Sequence, residues 1–229
     1  MLMEDFQGAD FNGIGNRNKL SEYLKLLGEL QSECSDRSGE LETLGLQRND
    51  PRLLAEFIDL LNSRPQDIYI GLDKEQRNSL IGSLPALRDS AAELVNTKIP
   101  PTLEHGDMDA SNAFVTNRGN VNRPIFMDWS DAVIRHPFFT MSSFWGLGVD
   151  EEFVAESYLK AFTRFSPMED LRKEYRHSAI LSALCRTAYY WEMKPRIANT
   201  IWWELEHFYL DMLRLVHRQS ALCLRKGMG

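Results

Sequence analysis

Residues 104–131, EHGDMDASNAFVTNRGNVNRPIFMDWSD, hold the side chains in this chain best suited to chemistry. Five acids (Glu104, Asp107, Asp109, Asp128 and Asp131) stand there against two cations, Arg118 and Arg123. Asp107 and Asn112 fall on a loop between two short β-like segments. A hairpin then returns the chain, so that Asp128 ends a strand near that loop although it lies 21 positions after Asp107. Three oxygen-bearing side chains thereby converge. Such a set suits Mg²⁺, a hard ion that commonly uses one or two carboxylates plus substrate phosphates. The Asn carbonyl ligates without adding charge repulsion, and a carboxylate five residues earlier can orient and deprotonate an alcohol. Taken singly the residues read more plainly, Asp107 as a loop carboxylate or cap, Asn112 as a turn residue and Asp128 as a strand end. Their joint spacing is what points to chemistry.

The same division of labour occurs in protein kinases, where an Asp and an Asn share a catalytic loop and a later Asp holds metal. His105-Gly106-Asp107-x-x-x-x-Asn112, followed by an apolar strand and Asp128-Trp129, resembles the signature of the aminoglycoside phosphotransferase and choline kinase-like superfamily. Ser130-Asp131-Ala132 and His136-Pro137-Phe138-Phe139 are similar to a subgroup of bacterial members. The resemblance implies that Asp107 is the catalytic base or orienter of a substrate hydroxyl. It implies that Asn112 and Asp128 bind Mg²⁺ bridging the phosphates of ATP, that His105 braces the loop and that Asp131 shapes the turn after the metal-binding strand. The implied reaction moves the γ-phosphoryl group of ATP to a hydroxyl of a small molecule, mainly by positioning and charge neutralisation. Two positions depart from the pattern. Asp109 stands where many relatives have a second His, which makes the loop more acidic and favours a cationic substrate or alters the metal site. Ser130 stands where Gly or Glu is common.

These residues need a scaffold, and the flanking periodicity predicts helices. Leu20, Tyr23, Leu24, Leu27 and Leu30 mark one helix from Lys19, whereas 35–50 reads as a polar loop. Asp50 and Pro51 suit the cap and first position of a second helix, carrying Leu53, Leu54, Phe57, Ile58 and Leu61. A third is predicted from Asp73 to Asn96, bent or broken at Pro85. Thr102–Gly106, Ala113–Thr116 and Pro124–Asp128 read as short strands, with Asn117–Asn120 as a hairpin turn. Three more helices follow, marked by Phe153 to Phe165, Ile180 to Ala188 and Ile201 to Val216. The expected fold is mainly α with a small β-hairpin element (α+β), a protein-kinase-like C-terminal lobe over 19–229 behind a flexible lead-in over 1–18. No strand-borne Lys paired with a helix Glu precedes the motif, and Gly13-Ile14-Gly15 is too short for a phosphate-covering loop. A nucleotide-binding N-terminal lobe is therefore expected to be missing. The chain alone is expected to turn over weakly and to self-associate through an apolar hinge face of its first helices. The alternative is a non-catalytic module that binds a ligand or partner in a retained cleft.

Composition bounds the partners. The chain has 229 residues, 26.4 kDa and a net charge of −7, so neither a nucleic-acid surface nor a polybasic membrane anchor is expected. Three unpaired-looking cysteines (Cys34, Cys185, Cys223) give no zinc spacing and fit a reducing cytoplasm. His136 reads as structural, and His177, His207 and His217 are scattered on helices without metal-site spacing. Trp191, Trp202 and Trp203 read as core packing rather than as a cleft for a cation.

Overall fold

The computed structural model describes residues 8–10, 17–49, 52–108, 112–118, 121–141 and 150–225. Two compact units emerge, the first comprising Met1–Arg48 and Lys98–Arg172 and the second Asn49–Thr97 and Lys173–Gly229. The sequence reading expected one lobe over 19–229.

In the first unit, α1 (Arg17–Cys34) buries Leu20, Tyr23, Leu24 and Leu27, the face its three–four periodicity defines. Its apolar face is thus covered within its own unit. Ser35–Arg37 and α2 (Ser38–Thr43) then form short helical turns where a loop was expected. Nothing in α2 is buried, so apolar periodicity could not have revealed it; an Arg37–Glu40 ion pair at 2.7 Å spans its first turn. Strand β2 (Thr102–Glu104) pairs antiparallel with β5 (Val133–Arg135), opposing Leu103 to Ile134. Strands β3 (Ala113–Arg118) and β4 (Val121–Phe126) form the expected hairpin. Their ladder runs to Arg118 opposite Val121, so Asn117 and Arg118 belong to the strand rather than the turn. Gly119 and Asn120, which join them, lie outside the described residues. Within the lead-in, Gly8–Asp10 forms β1, an antiparallel neighbour of β3.

The apolar run from Phe153 to Phe165 is not one helix. Asp150 caps α6 (Glu151–Ser157) through the Phe153 N–H at 2.7 Å, and after Tyr158 the chain tightens to a 3₁₀ turn, Leu159–Phe162. Phe138, Tyr158 and Phe162 form a buried aromatic triangle with ring centroids 5.1–5.7 Å apart. Helix α1 approaches this turn closely at Gly28, where a Cβ would lie 2.8 Å from the Tyr158 carbonyl.

The second unit is helical. Helix α3 (Arg52–Ser63) buries Leu54, Phe57, Ile58 and Leu61; Asp50 and Pro51, expected to start it, lie outside the described residues. After the single turn α4 (Pro65–Ile68), Asp73 and Gln76 close a reciprocal capping box on α5 (Lys74–Val95). Pro85 does not break α5. Pro85 and Ile81, whose carbonyl loses its usual donor four residues on because proline has no N–H, are both exposed, so water can serve that acceptor. Helix α7 (Met168–Ile197) starts in the first unit and continues in the second, with Glu169 and Asp170 in its first turn and Lys194 and Arg196 in its last, each sign matched to the helix dipole. Helix α8 (Phe208–Arg225) begins seven residues later than Ile201, after a 3₁₀ turn over Trp203–His207. The residues expected to pack there do not: Ile201, Trp202 and Trp203 are 84 %, 60 % and 61 % exposed. The mainly α fold with a small β element is the one the sequence predicts.

Candidate active site

Every proposed site residue that the structure describes lies in the first unit, between the end of β2 and the turn before β5. Strand β2 ends at Glu104, and the chain turns at Gly106 with φ +83°. That turn requires glycine twice over. The positive φ disfavours any side chain, and a Cβ would lie 2.1 Å from the Asp131 carbonyl oxygen. Asp107 follows, partly buried, and Met108 is anchored below the surface, its sulfur accepting from the Tyr23 hydroxyl of α1 at 2.8 Å. Asp109 lies outside the described residues.

Asn112, just before β3, turns its amide N–H toward the Asp107 carbonyl at 2.9 Å. This spans the five-residue loop and leaves the Asn112 Oδ1 as the atom available for ligation. The Asn112 backbone carbonyl accepts from the Met127 N–H at 2.8 Å. From the other side, His105 donates through Nε2 to the Met127 carbonyl at 2.7 Å. Met127 is therefore held by both its backbone polar groups, one from each end of the loop. Its neighbour Asp128 is fixed in register with Asp107 and Asn112.

His105 is fully buried and its ring lies 4.6 Å from that of Trp129, whose indole N–H donates to the Phe126 carbonyl at 3.0 Å. Its Nδ1 is buried with no hydrogen-bond partner among the described residues. Asp128 is exposed and has φ +58°, an uncommon conformation that Asp tolerates better than most residues. Its Oδ1 accepts from the Ser130 hydroxyl at 2.8 Å. Asp131 is exposed and ends the 3₁₀ turn that starts at Trp129; its backbone carbonyl is the surface against which Gly106 packs. The structure thus joins His105, Asp107, Asn112 and the Met127–Asp128 segment by direct bonds, and sets Asp131 against the Gly106 turn.

The donor set is hard oxygen: one amide carbonyl and one exposed carboxylate. Among the described residues no three His, Cys, Asp or Glu side chains gather to hold a metal unaided. An amide oxygen and a carboxylate are ligands of the kind Mg²⁺ accepts beside phosphates and water.

No protein-family model matches the sequence, and no curated protein matches it in sequence. Solved structures do match. A point mutant of aminoglycoside 2'-phosphotransferase-IIIa, in its GDP complex, superposes with a TM-score of 0.65 at 17 % identity, over 96 % of this chain and 69 % of that one. A choline kinase from Cryptosporidium parvum gives 0.57 at 12 % identity, over 98 % and 71 %. A Plasmodium vivax ethanolamine kinase gives 0.54 at 14 % identity, over 97 % and 64 %, so the chain spans less than two thirds of that protein. The chain shares its fold with these phosphotransferases and kinases.

In this kinase-like fold, sequence reasoning missed the layer behind the loop. Glu104 stood out only as one acid among five, and Arg135 not at all. Glu104 is 1 % exposed and forms a buried ion pair with Arg135. Gln31, a polar residue on the apolar face of α1, donates to Thr140 Oγ1 at 3.2 Å and to the Leu103 carbonyl at 3.1 Å, and its Oε1 accepts from the Tyr158 hydroxyl at 2.5 Å. A polar residue at a helix position reserved for the core was the available signal.

Proposed function

We propose that the chain carries the catalytic half of an ATP-dependent phosphotransferase that acts on a hydroxyl of a small molecule. The observation that supports this best is the double hold on Met127, which keeps Asp128 in register with the Asp107–Asn112 loop. Asp107 accepts the proton of the acceptor hydroxyl and orients its oxygen. Asn112 Oδ1 and the Asp128 carboxylate would hold Mg²⁺, which when bound neutralises charge on the nucleotide phosphates. The bond from the γ-phosphorus to its bridging oxygen breaks as the acceptor oxygen bonds to phosphorus, and the proton stays with Asp107. Ser130, donating to Asp128 Oδ1, leaves Oδ2 with the greater share of negative charge. The structural neighbours are named as phosphotransferases and kinases of aminoglycosides, choline and ethanolamine. An amine-bearing alcohol accords with those names and with the acidity of this loop.

The test is ³¹P NMR of phosphate transfer from ATP to a panel of amino-alcohols and aminoglycosides, with and without Mg²⁺. The expected result is acceptor-dependent, Mg²⁺-dependent ester formation that falls by about 10²–10⁴ in Asp107→Ala. Transfer indifferent to Asp107→Ala, or none to any acceptor, would overturn the reading. Binding of an acceptor without transfer would favour a non-catalytic module.

A further inference from the structure

We propose that Glu104 is a positioning residue, holding the Gly106 turn so that Asp107 is presented in one place. This rests on the reading of Asp107 given above. Glu104 stands outside the residues that would touch substrate or metal. All its bonding is internal: Oε2 accepts from Arg135 Nε at 2.5 Å and from the Gly106 N–H at 3.0 Å, while Oε1 accepts from Thr140 Oγ1 at 2.7 Å. Thr140 is tied in turn to Gln31 of α1, and the Arg135 guanidinium lies 5.6 Å from the Phe139 ring. The carboxylate is thus clamped by groups from β5 and from the turn after it, and one of its bonds reaches the turn that precedes Asp107.

Stability alone is a poor reason for such a pair. Desolvating two charges offsets most of their attraction, and well-packed apolar replacements are often as stable. The bond to Gly106 supplies another reason. Strand β2 ends at Glu104, so the Gly106 N–H has no ladder partner. A charge-assisted bond from a carboxylate that cannot move fixes that peptide more firmly than water or a neutral acceptor would. The turn has little slack, since its φ is positive and it packs against the Asp131 backbone. Asp107 is the next residue, and misplacement of a reacting group by about 1 Å costs on the order of 10² in rate.

Two variants of the full chain separate positioning from bulk stability. Glu104→Gln keeps shape and one acceptor oxygen. Glu104→Leu combined with Arg135→Met replaces the whole ion pair with apolar side chains. The first readout is amide hydrogen exchange by NMR. The double variant is expected to exchange the Gly106 N–H at least ~10-fold faster, with the β2–β5 ladder amides within about threefold of wild type, because one local bond is lost. The second readout is turnover on any acceptor found active. There kcat should fall by roughly 10² with the KM for ATP within about threefold, and Glu104→Gln should fall between the double variant and wild type. Unchanged Gly106 exchange, or exchange that rises equally across the ladder, would overturn the proposal. So would an unchanged kcat. If wild type transfers phosphate to no acceptor, the phosphotransferase reading fails by itself, and the exchange readout still decides whether Glu104 holds the turn. Should the double variant not fold, Glu104→Gln carries both readouts.

Discussion

At the residue scale, the tightest constraint in the loop is steric. Gly106→Ala would place a methyl group 2.1 Å from the Asp131 oxygen in a backbone conformation that L-residues avoid. Non-glycine residues in sparsely populated regions cost about 1–3 kcal/mol before any clash is counted. We expect the variant to lower the thermal midpoint of unfolding clearly, and to weaken any Mg²⁺–ATP binding measured by calorimetry on the fraction still folded. A variant with wild-type midpoint would show that the turn and the Asp131 backbone are not in contact. The need for that glycine was readable only in part. His105-Gly106-Asp107 drew attention as a motif, but the Asp131 carbonyl against which Gly106 packs is 25 positions away, and no local pattern reports such an approach. The spacing of Asp107, Asn112 and Asp128 was legible because each lies at the edge of a short strand. The role of Met127 was not, since it works entirely through its backbone.

At the element scale, the pairing of α5 with α7 in the second unit rests on a polar seam. His177 Nδ1 meets Ser90 Oγ at 3.0 Å, Lys173 meets Glu93 at 2.9 Å and Glu174 accepts from Thr97. Burial pushes the His177 imidazole below its usual value of 6.5; Glu93 opposes the shift, and Lys173 and Arg176 reinforce it. The sign follows directly. Below the ordinary His value the unfolded chain takes up a proton that the folded chain resists, so stability declines as pH falls until the folded His177 also titrates. The unfolding midpoint of wild type should therefore drop more than that of His177→Gln between about pH 7.5 and about pH 5.5. Equal slopes for the two would remove His177 from the account. Both helices were legible, α5 from its periodicity and α7 from a fragment of its apolar face; the Asp73–Gln76 capping box was not read. The seam was not, because polar residues on two distant helices carry no mark of one another. The run from Phe153 to Phe165 failed for a different reason. A 3₁₀ turn and an α-helix share similar apolar spacing over so few residues, and the break at Tyr158 is set by packing of its ring with Phe138 and Phe162.

At the scale of the whole molecule, exposed apolar side chains bear on two expectations. The first helices, where the sequence predicts an apolar face, leave Leu26, Leu53 and Ile81 exposed, whereas the tryptophans near residue 202, which the sequence reads as core, are exposed against that expectation. In the structure α1 covers its apolar face, with Leu26 at the edge at 37 % exposure, while Ile201, Trp202 and Trp203 stand out from the turn before α8. Periodicity took these three as the start of a helix face. The chain instead leaves α7 after Ile197 and passes through a turn, so their side chains miss the core that Tyr209, Leu210, Leu213 and Val216 join. No helix among the described residues is long and apolar enough to cross a membrane. Side chains this exposed contribute little to folding, within about 0.5 kcal/mol for surface positions without special contacts. We therefore expect Trp202→Ser with Trp203→Ser to leave the unfolding midpoint nearly unchanged. Acrylamide should quench wild-type tryptophan fluorescence efficiently, and that readily quenched component should vanish in the double variant. Contiguous exposed aromatic surface also binds hydrophobic dyes, so dye fluorescence should fall in parallel. A marked loss of stability with the quenchable component retained would mean that the two tryptophans are packed, and that the turn before α8 lies elsewhere than described.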